Sequence, residues 1–486
     1  MSLHKKYSYI HFFFCLCLFY SCTVKNIKTV GTQDSDIHQY VKKDSMSQRK
    51  NQLEKLKGAT FFNDPLLVAL IDTALLNNQD LKIALMSIES AKADVLSTKA
   101  LMQPSVEVGS SLGIKKYGRF TEEGVGNFDT NFSENISNDQ NIPYSVTPNY
   151  ALGLNTNWEL DIWKKLSTAK KAALKNLAAS EEVKNFMLTQ LVSNVAGLYY
   201  QLIEKDIELL IAHKNIELQK KQVEIIIIQK NAGRVTELAV KQFKAQLLHS
   251  QSFEYTVRQE IYELENSLNL LLGRLPNHPI KRNRKAFEST LPNIANEGVL
   301  SEVLLQRPDV LAAEHQLAAS KADVYAARAA FYPSLRLTPS LGFEAFRARL
   351  LFDPRSIAFS AFATIAAPIF NRKKLIANSN KANAQNYAML YQYEKTILNA
   401  MSETLVSLKG IENSAATYDL KSKQVDELTK AVSVSNTLFL EGYASYLEVV
   451  TAQGAVFEAE LEQMKVRNAQ FMYHLNLYKA LGGGWK

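Results

Sequence analysis

The side chains able to carry chemistry are scattered in this sequence rather than gathered. His249, His315 and His474 stand alone, and no HExxH, CxxC, GxSxG or phosphate-loop spacing occurs. Glu314 and His315 are neighbours on a helical stretch, so they point in different directions and read as structural. Asp80 and Asp309 occupy equivalent places in an internal repeat and read as helix-start residues rather than an acid pair. The nine methionines do not cluster, which gives a soft-metal relay no support. The pattern therefore offers no catalytic residue, no metal site and no cofactor. What remains is positional. A cysteine stands near the N-terminus, and two glycine-centred turns, Gly233-Arg234-Val235-Thr236 and Gly442-Tyr443-Ala444-Ser445, each interrupt a long helical pattern.

All three cysteines, Cys15, Cys17 and Cys22, lie in the first 22 residues. Lys5 and Lys6 precede the apolar run Ile10 to Tyr20, so residues 1–21 read as an export signal. Phe19-Tyr20-Ser21-Cys22 resembles a bacterial lipobox, with Phe19 where Leu is usual. Cys22 is then the expected lipid attachment site and mature N-terminus. Processing there removes Lys5 and Lys6 and changes the net charge from +8 to +6. That charge is modest and spread along helices, so a nucleic-acid partner gets little support. Beyond the signal, no apolar run reaches the roughly 18 residues of a membrane-spanning helix. Residues 22–60 are polar and lysine-rich and read as an arm leading to the folded body.

The turns are positioned by long helices. From Asn149 to Leu275 there is no proline. Leu191, Val195, Leu198, Leu202, Leu209, Ala212, Ile216, Val223 and Ile226 recur at alternating steps of four and three, with Lys205 and Gln219 as polar exceptions. A heptad pattern sustained this long indicates a supercoiled helix, and residues 166–231 would make a rod of roughly 100 Å. Gly233 supplies the left-handed residue that ends it, and a second helix returns over about 236–272. The arrangement recurs. Asp80–Gly113 aligns with Asp309–Gly342 at an offset of 229, with 12 of 34 positions identical, and Gly233…Leu238-x-Val240 aligns with Gly442…Leu447-x-Val449 at an offset of 209. The 20-residue difference falls in 114–149, an asparagine-rich stretch that reads as a loop. The chain is a tandem duplication: repeat 1 over 61–275, a linker at 276–300 carrying Lys281, Arg282, Arg284 and Lys285 that reads as surface, repeat 2 over 301–481, and a tail at 482–486.

Between the helices the period changes to two. Strands are expected at about 104–114, 150–162, 333–344 and 357–370, with apolar residues alternating against polar or small ones. Such alternation also suits a soluble sheet with one wet face. The export signal and the aromatics near strand ends (Tyr150, Trp158, Trp163, Phe331, Tyr332) favour a membrane. Four strands cannot close a barrel, and an open edge cannot sit in lipid, so membrane strands here require oligomerisation. Two copies would give eight strands and three would give twelve.

Several motifs together resemble outer-membrane efflux proteins of the TolC type, in the lipoprotein (NodT/OprM-like) branch. They are Arg307-Pro308-Asp309-Val310 with Ala313-Glu314, Ala329-Ala330-Phe331-Tyr332-Pro333-Ser334, Glu159-Leu160-Asp161, Ala367-Pro368-Ile369-Phe370, Gly442-Tyr443-Ala444-Ser445-Tyr446-Leu447-Glu448-Val449, and Leu481-Gly482-Gly483-Gly484-Trp485. Two departures stand out: Arg372-Lys373 replaces the usual Gly-Gly, and Ala239 replaces an acid often found at the first tip. The resemblance implies a mainly helical fold with a membrane β-barrel part: long helical hairpins forming a tunnel, and four strands per chain in a twelve-stranded barrel shared by a homotrimer. It implies an exit duct for an RND-type inner-membrane pump, with a periplasmic adaptor docking at Gly233, Arg234, Val235, Gly442, Tyr443, Ala444 and Ser445. Arg234 and Glu448 are the entrance candidates. The alternatives are a surface-anchored trimeric coiled-coil lipoprotein with a structural or adhesive role, which would lack strand hairpins between its helices, and a lipoprotein enzyme, which the absence of motifs disfavours. A duct has no selective pocket, so the sequence does not name its cargo.

Overall fold

The computed structural model describes residues 61–62, 64–143, 146–287, 304–370 and 372–483. The expected signal (1–21), Cys22, the arm as far as residue 60 and the end of the tail lie outside the described residues. In chain order the elements are α1 (Pro65–Asn77), α2 (Gln79–Ala100), β1 (Ser105–Lys115), α3 (Glu122–Thr130), β2 (Thr147–Leu160), α4 (Lys165–Asn231), α5 (Glu237–Leu271), α6 (Pro308–Ala329), β3 (Ser334–Ala345), β4 (Ile357–Ala366), α7 (Arg372–Leu440) and α8 (Tyr446–Ala480). α6 repeats α2 at an offset of 229 at both ends, and α8 repeats α5 at 209 at both ends. The 114–149 stretch is not all loop. Thr121 caps α3 by accepting from Gly124 N–H, and Glu122 and Glu123 fill its first turn, where the helix dipole favours acids.

α4 has 67 residues and α7 has 69, so each extends about 100 Å. Each is paired with its return helix, α4 with α5 and α7 with α8, while α2 and α6 lie against the sheet-proximal part of the bundle. The main core gathers Leu67, Leu70, Val195, Tyr199, Leu202, Leu268, Phe471 and Tyr478 from α1, α4, α5 and α8. Asp64 ties it to the chain entering α1: one carboxylate oxygen accepts from Leu66 N–H (2.9 Å), and the other accepts from the buried Tyr199 hydroxyl (2.6 Å). The polar exceptions on the α4 seam have separate explanations. Lys205 bridges Glu208 (2.9 Å) and Glu260 of α5 (2.8 Å). Gln219 is buried, with no protein partner for its side-chain amide.

The duplication is also visible in long-range bonds. Asn78 precedes α2 and donates to Leu271 O at the end of α5 (3.0 Å). Its counterpart Arg307 precedes α6 and donates to Ala480 O at the end of α8 (3.2 Å). Arg307 also reaches Asp309 and Glu403 of α7, each at 2.8 Å, and its guanidinium is fully buried. In both repeats a side chain before the first long helix ties down the last carbonyl of the return helix. The linker is held in a similar way. Arg282 makes a two-pronged contact with Asp206 (2.6 and 2.7 Å) and also reaches Glu265, so this part of 276–300 is an anchored clasp rather than a solvated surface segment.

The four strands form one antiparallel sheet in the order β1-β2-β3-β4. Its register brings like faces together. Val108, Leu154, Leu341 and Phe359 line up across it, as do Leu160, Leu335 and Ile365. On the other face Glu107 pairs with Asn155, Asn155 with Ser340, and the Ser340 hydroxyl meets the Ser360 hydroxyl at 2.8 Å. Gly109, Gly153, Gly342 and Ala358 also align on this polar face. A Cβ on Gly342 would lie 2.4 Å from Leu152 O and 2.5 Å from Gly153 Cα. Backbones this close on one side make the polar face the inside of the curve.

Replacing Arg307 by Ala should lower stability by about 3 kcal/mol, moderated because Glu403 is half exposed and regains water. Asn78→Ala should cost about 1–2 kcal/mol, through a lost cap and one neutral bond. Denaturant midpoints of the two variants, compared with the parent chain, check that order. Gly342→Val should force the central strands apart and sharply reduce sheet assembly, measured as recovery of folded protein in detergent.

Candidate functional site: the sheet and the hairpin tips

Two regions can do work: the amphipathic sheet at one end of the helices and the hairpin turns at the other. The turns follow from their sequences. At the first, Gly233 has φ +75° and Arg234 N–H reaches back to Gln229 O (2.9 Å). At the second, Gly442 has φ +81° and Tyr443 N–H reaches Leu438 O (2.8 Å). These bonds close each helix with a left-handed glycine, and Thr236 and Ser445 then start the return helices. The two tips share a single cluster in which Val223, Ile226, Ala239, Val240 and Phe243 of the first meet Val449 of the second, with Phe439 and Tyr446 packed against it. Ala239 is fully buried there, so the position that departs from the family's acid is a packing position.

Arg234 and Glu448 are both exposed, and among the described residues the structure forms no ion pair between them. Glu448 accepts instead from the Ser445 hydroxyl, which holds its carboxyl below the usual carboxylate range. At the first tip Glu237 takes the cations, pairing with Lys230 (2.6 Å) and Lys241 (3.4 Å). Around the turns, Leu238, Leu440, Tyr443 and Leu447 stand largely exposed, giving the tip an apolar surface. Arg282, Asp206 and Lys205 are organising residues; of these, sequence patterns left Asp206 unmarked and assigned Arg282 to a surface linker. Only the co-occurrence of a heptad seam with an inward-facing charge hinted at Lys205.

The helical body carries one strongly perturbed carboxylate. Glu204 of α4 is buried against Asn468 of α8, whose amide donates to it at 2.6 Å. Burial first, then the neighbouring Glu208, raises its carboxyl to about 7, against the opposing pull of Lys205 and Lys465. Among the described residues the histidines form no comparable centre. His249 is exposed, and His474 lies half buried with Nδ1 2.9 Å from Gln470 O. Among the described residues no group of three His, Cys, Asp or Glu side chains could hold a metal ion, and no helix is long and apolar enough to cross a membrane.

Comparison with known proteins agrees with this geometry. The family model described as outer membrane efflux protein matches residues 70–274 and 299–483, one segment per repeat. The Pyoverdine export outer membrane protein OpmQ of Pseudomonas aeruginosa is 30% identical over 426 residues, covering 87% of this chain and 86% of that protein. The Toluene efflux pump outer membrane protein TtgI of Pseudomonas putida is also 30% identical, over 429 residues covering 88% and 87% of the two chains. A crystal structure of CusC, described in terms of transmembrane channel formation, superposes with a TM-score of 0.76 at 27% identity, covering 88% of this chain and 94% of that one.

Glu204 predicts a pH dependence. Its folded-state value lies above the ordinary carboxylate value, so the folded chain keeps a proton that the unfolded chain has already released. The resulting stability is fully present below about pH 4.5 and is lost as pH rises towards about 7. Glu204→Gln should remove that slope, leaving stability near pH 4 unchanged and raising it near pH 8, as read from denaturant midpoints across the range.

Proposed function

Because the chain belongs to the outer membrane efflux protein family, we propose that three copies of it assemble into the outer-membrane exit duct of a tripartite efflux pump. The chain itself is an outer-membrane efflux channel protein, a class that conducts what a partner transporter expels. Assembly from several copies rests on one observation, and the number three on the family resemblance. β1 and β4 each pair on one side only, while the sheet carries a continuous apolar face. In a hydrocarbon layer those outer edges must find partners, and three chains supply a twelve-stranded closed barrel with its polar faces inward.

The helical hairpins then project into the periplasm. The exposed apolar turns around Gly233 and Gly442 suit docking of a periplasmic adaptor, which in turn engages an RND-type inner-membrane pump. Arg234 and Glu448, exposed and unpaired with each other within one chain, act between neighbouring chains at the periplasmic entrance. Acylation of Cys22 anchors the assembly to the same membrane. Relatives of equal identity carry names that refer to pyoverdine in one case and toluene in the other. The duct body does not set the cargo, which the pump selects.

The full chain, purified in detergent and added to planar bilayers, should have the mass of three chains and give long-lived single-channel currents. A monodisperse monomer without conductance would overturn the reading. Within the trimer, Glu448→Lys should change open probability without altering assembly.

A further inference from the structure

The departure noted at Arg372-Lys373 belongs to a larger feature that channel function leaves unused. The sequence Lys164-Lys165-Leu166 recurs as Lys373-Lys374-Leu375 at the same offset of 209 that relates the hairpin tips. Both lysine pairs lie where the chain leaves the sheet, at the starts of α4 and α7. A helix start carries the positive end of the backbone dipole and favours acids, yet neither first turn contains one. The imbalance continues. From Lys164 to Ser180 there are five lysines and no acid, and from Arg372 to Tyr393 there are four cations and no acid. Lys164 bears a second cost, because its backbone sits in the left-handed region at φ 56° and ψ 28°, where glycine would be unstrained.

Local carboxylates account for only part of this charge. Asp161 accepts from Leu166 and Ser167 N–H, both at 2.8 Å, and so caps α4, while Glu159 pairs with Lys165. Among the described residues no carboxylate lies within ion-pair distance of Lys164, Lys373 or Lys374, and all three are exposed. At the same sheet exit, the ends of α2 and α6 carry Lys99 and Arg328 in their last turns, where cations suit the dipole. Only the lysines at the helix starts lack a structural reason.

Their surroundings supply one. The apolar row Leu160, Leu335 and Ile365 closes the sheet's outer face at this end. Just beyond it stand Ile162, Ile369 and Phe370, all exposed, and Trp163 stacked on Tyr332 at 4.9 Å with its indole N–H donating to Pro333 O. Lys164 follows four residues after Leu160, across a tight turn in which Lys164 N–H reaches back to Asp161 O (3.3 Å). Apolar face, aromatics and cations therefore adjoin one another where the chain leaves the sheet, as at a membrane interface.

We propose that this junction is a binding belt for anionic phospholipid headgroups of the leaflet that the helices leave, with Lys164, Lys373 and Lys374 contacting phosphate and Trp163 and Tyr332 seated at the interface. The belt rests on the membrane orientation given under Proposed function. It is continuous with the lipid-facing sheet surface, and its charge complements an anionic bilayer surface.

The test uses the full chain reconstituted in phosphatidylcholine vesicles with a minor fraction of phosphatidylglycerol, extracted with its surrounding lipid for analysis. The parent chain should retain phosphatidylglycerol in excess over its bulk fraction. The K164Q/K373Q/K374Q variant should lose about tenfold of that preference, with phosphatidylcholine retention unchanged, and added salt should reduce the parent's preference in the same direction. K164G relieves the backbone strain, so it should be at least as stable as the parent yet retain less phosphatidylglycerol. An unchanged preference in both variants would overturn the belt. Conductance in the same bilayers separates the two readings: conduction without lipid preference overturns the belt alone, and lipid preference without conduction overturns the channel alone.

Discussion

The outer edges of β1 and β4 present main-chain N–H and C=O groups that no other described strand pairs with. In water such edges are a solubility hazard, and in hydrocarbon each unpaired group costs several kcal/mol. The rest of the architecture is arranged around this constraint. The sheet is in register so that one face is apolar from β1 to β4, and Gly153 and Gly342 let the other face bend inwards. A sheet built this way leaves its two outer edges unpaired among the described residues.

The helices answer a different demand, which is length. Rods of about 100 Å gain little from intrinsic helix propensity and need tertiary support along their whole course. Support comes at intervals: the aromatic and aliphatic core around Tyr199 and Phe471, a smaller contact around Phe457, and the shared cluster at the tips. Polar side chains are buried along the rods as well, Glu204 and Asn468 within the main core and Gln219 between the smaller contact and the tips.

Duplication gave both halves the same helix-end devices, and divergence then assigned them different strengths. Asn78 and Arg307 hold equivalent carbonyls, one with a neutral amide and one with a buried guanidinium that also gathers Asp309 and Glu403. The second repeat is accordingly tied to α7 as well as to its own return helix. The paired lysines at the sheet exits survived in both copies although they oppose the helix dipole.

What the sequence determined alone was everything written in neighbouring residues. The heptad seam of α4, the glycine turns at 233 and 442, the four alternating runs and the repeat offsets are all local periodicities or local conformational preferences, and each is legible within a few residues. Tertiary structure decided what depends on partners far along the chain. Arg282 looked like part of a solvated basic linker until Asp206 and Glu265 were seen to enclose it, and Lys205 and Gln219 were indistinguishable exceptions until one found Glu260 and the other found no partner. The helix in 122–130 was hidden because it is short and its two apolar residues, Val125 and Phe128, are too few to stand out as a period in a stretch rich in Gly and Asn. Long-range pairing sets the dielectric and the bonding around a polar side chain, and neither can be read from the residues on either side of it.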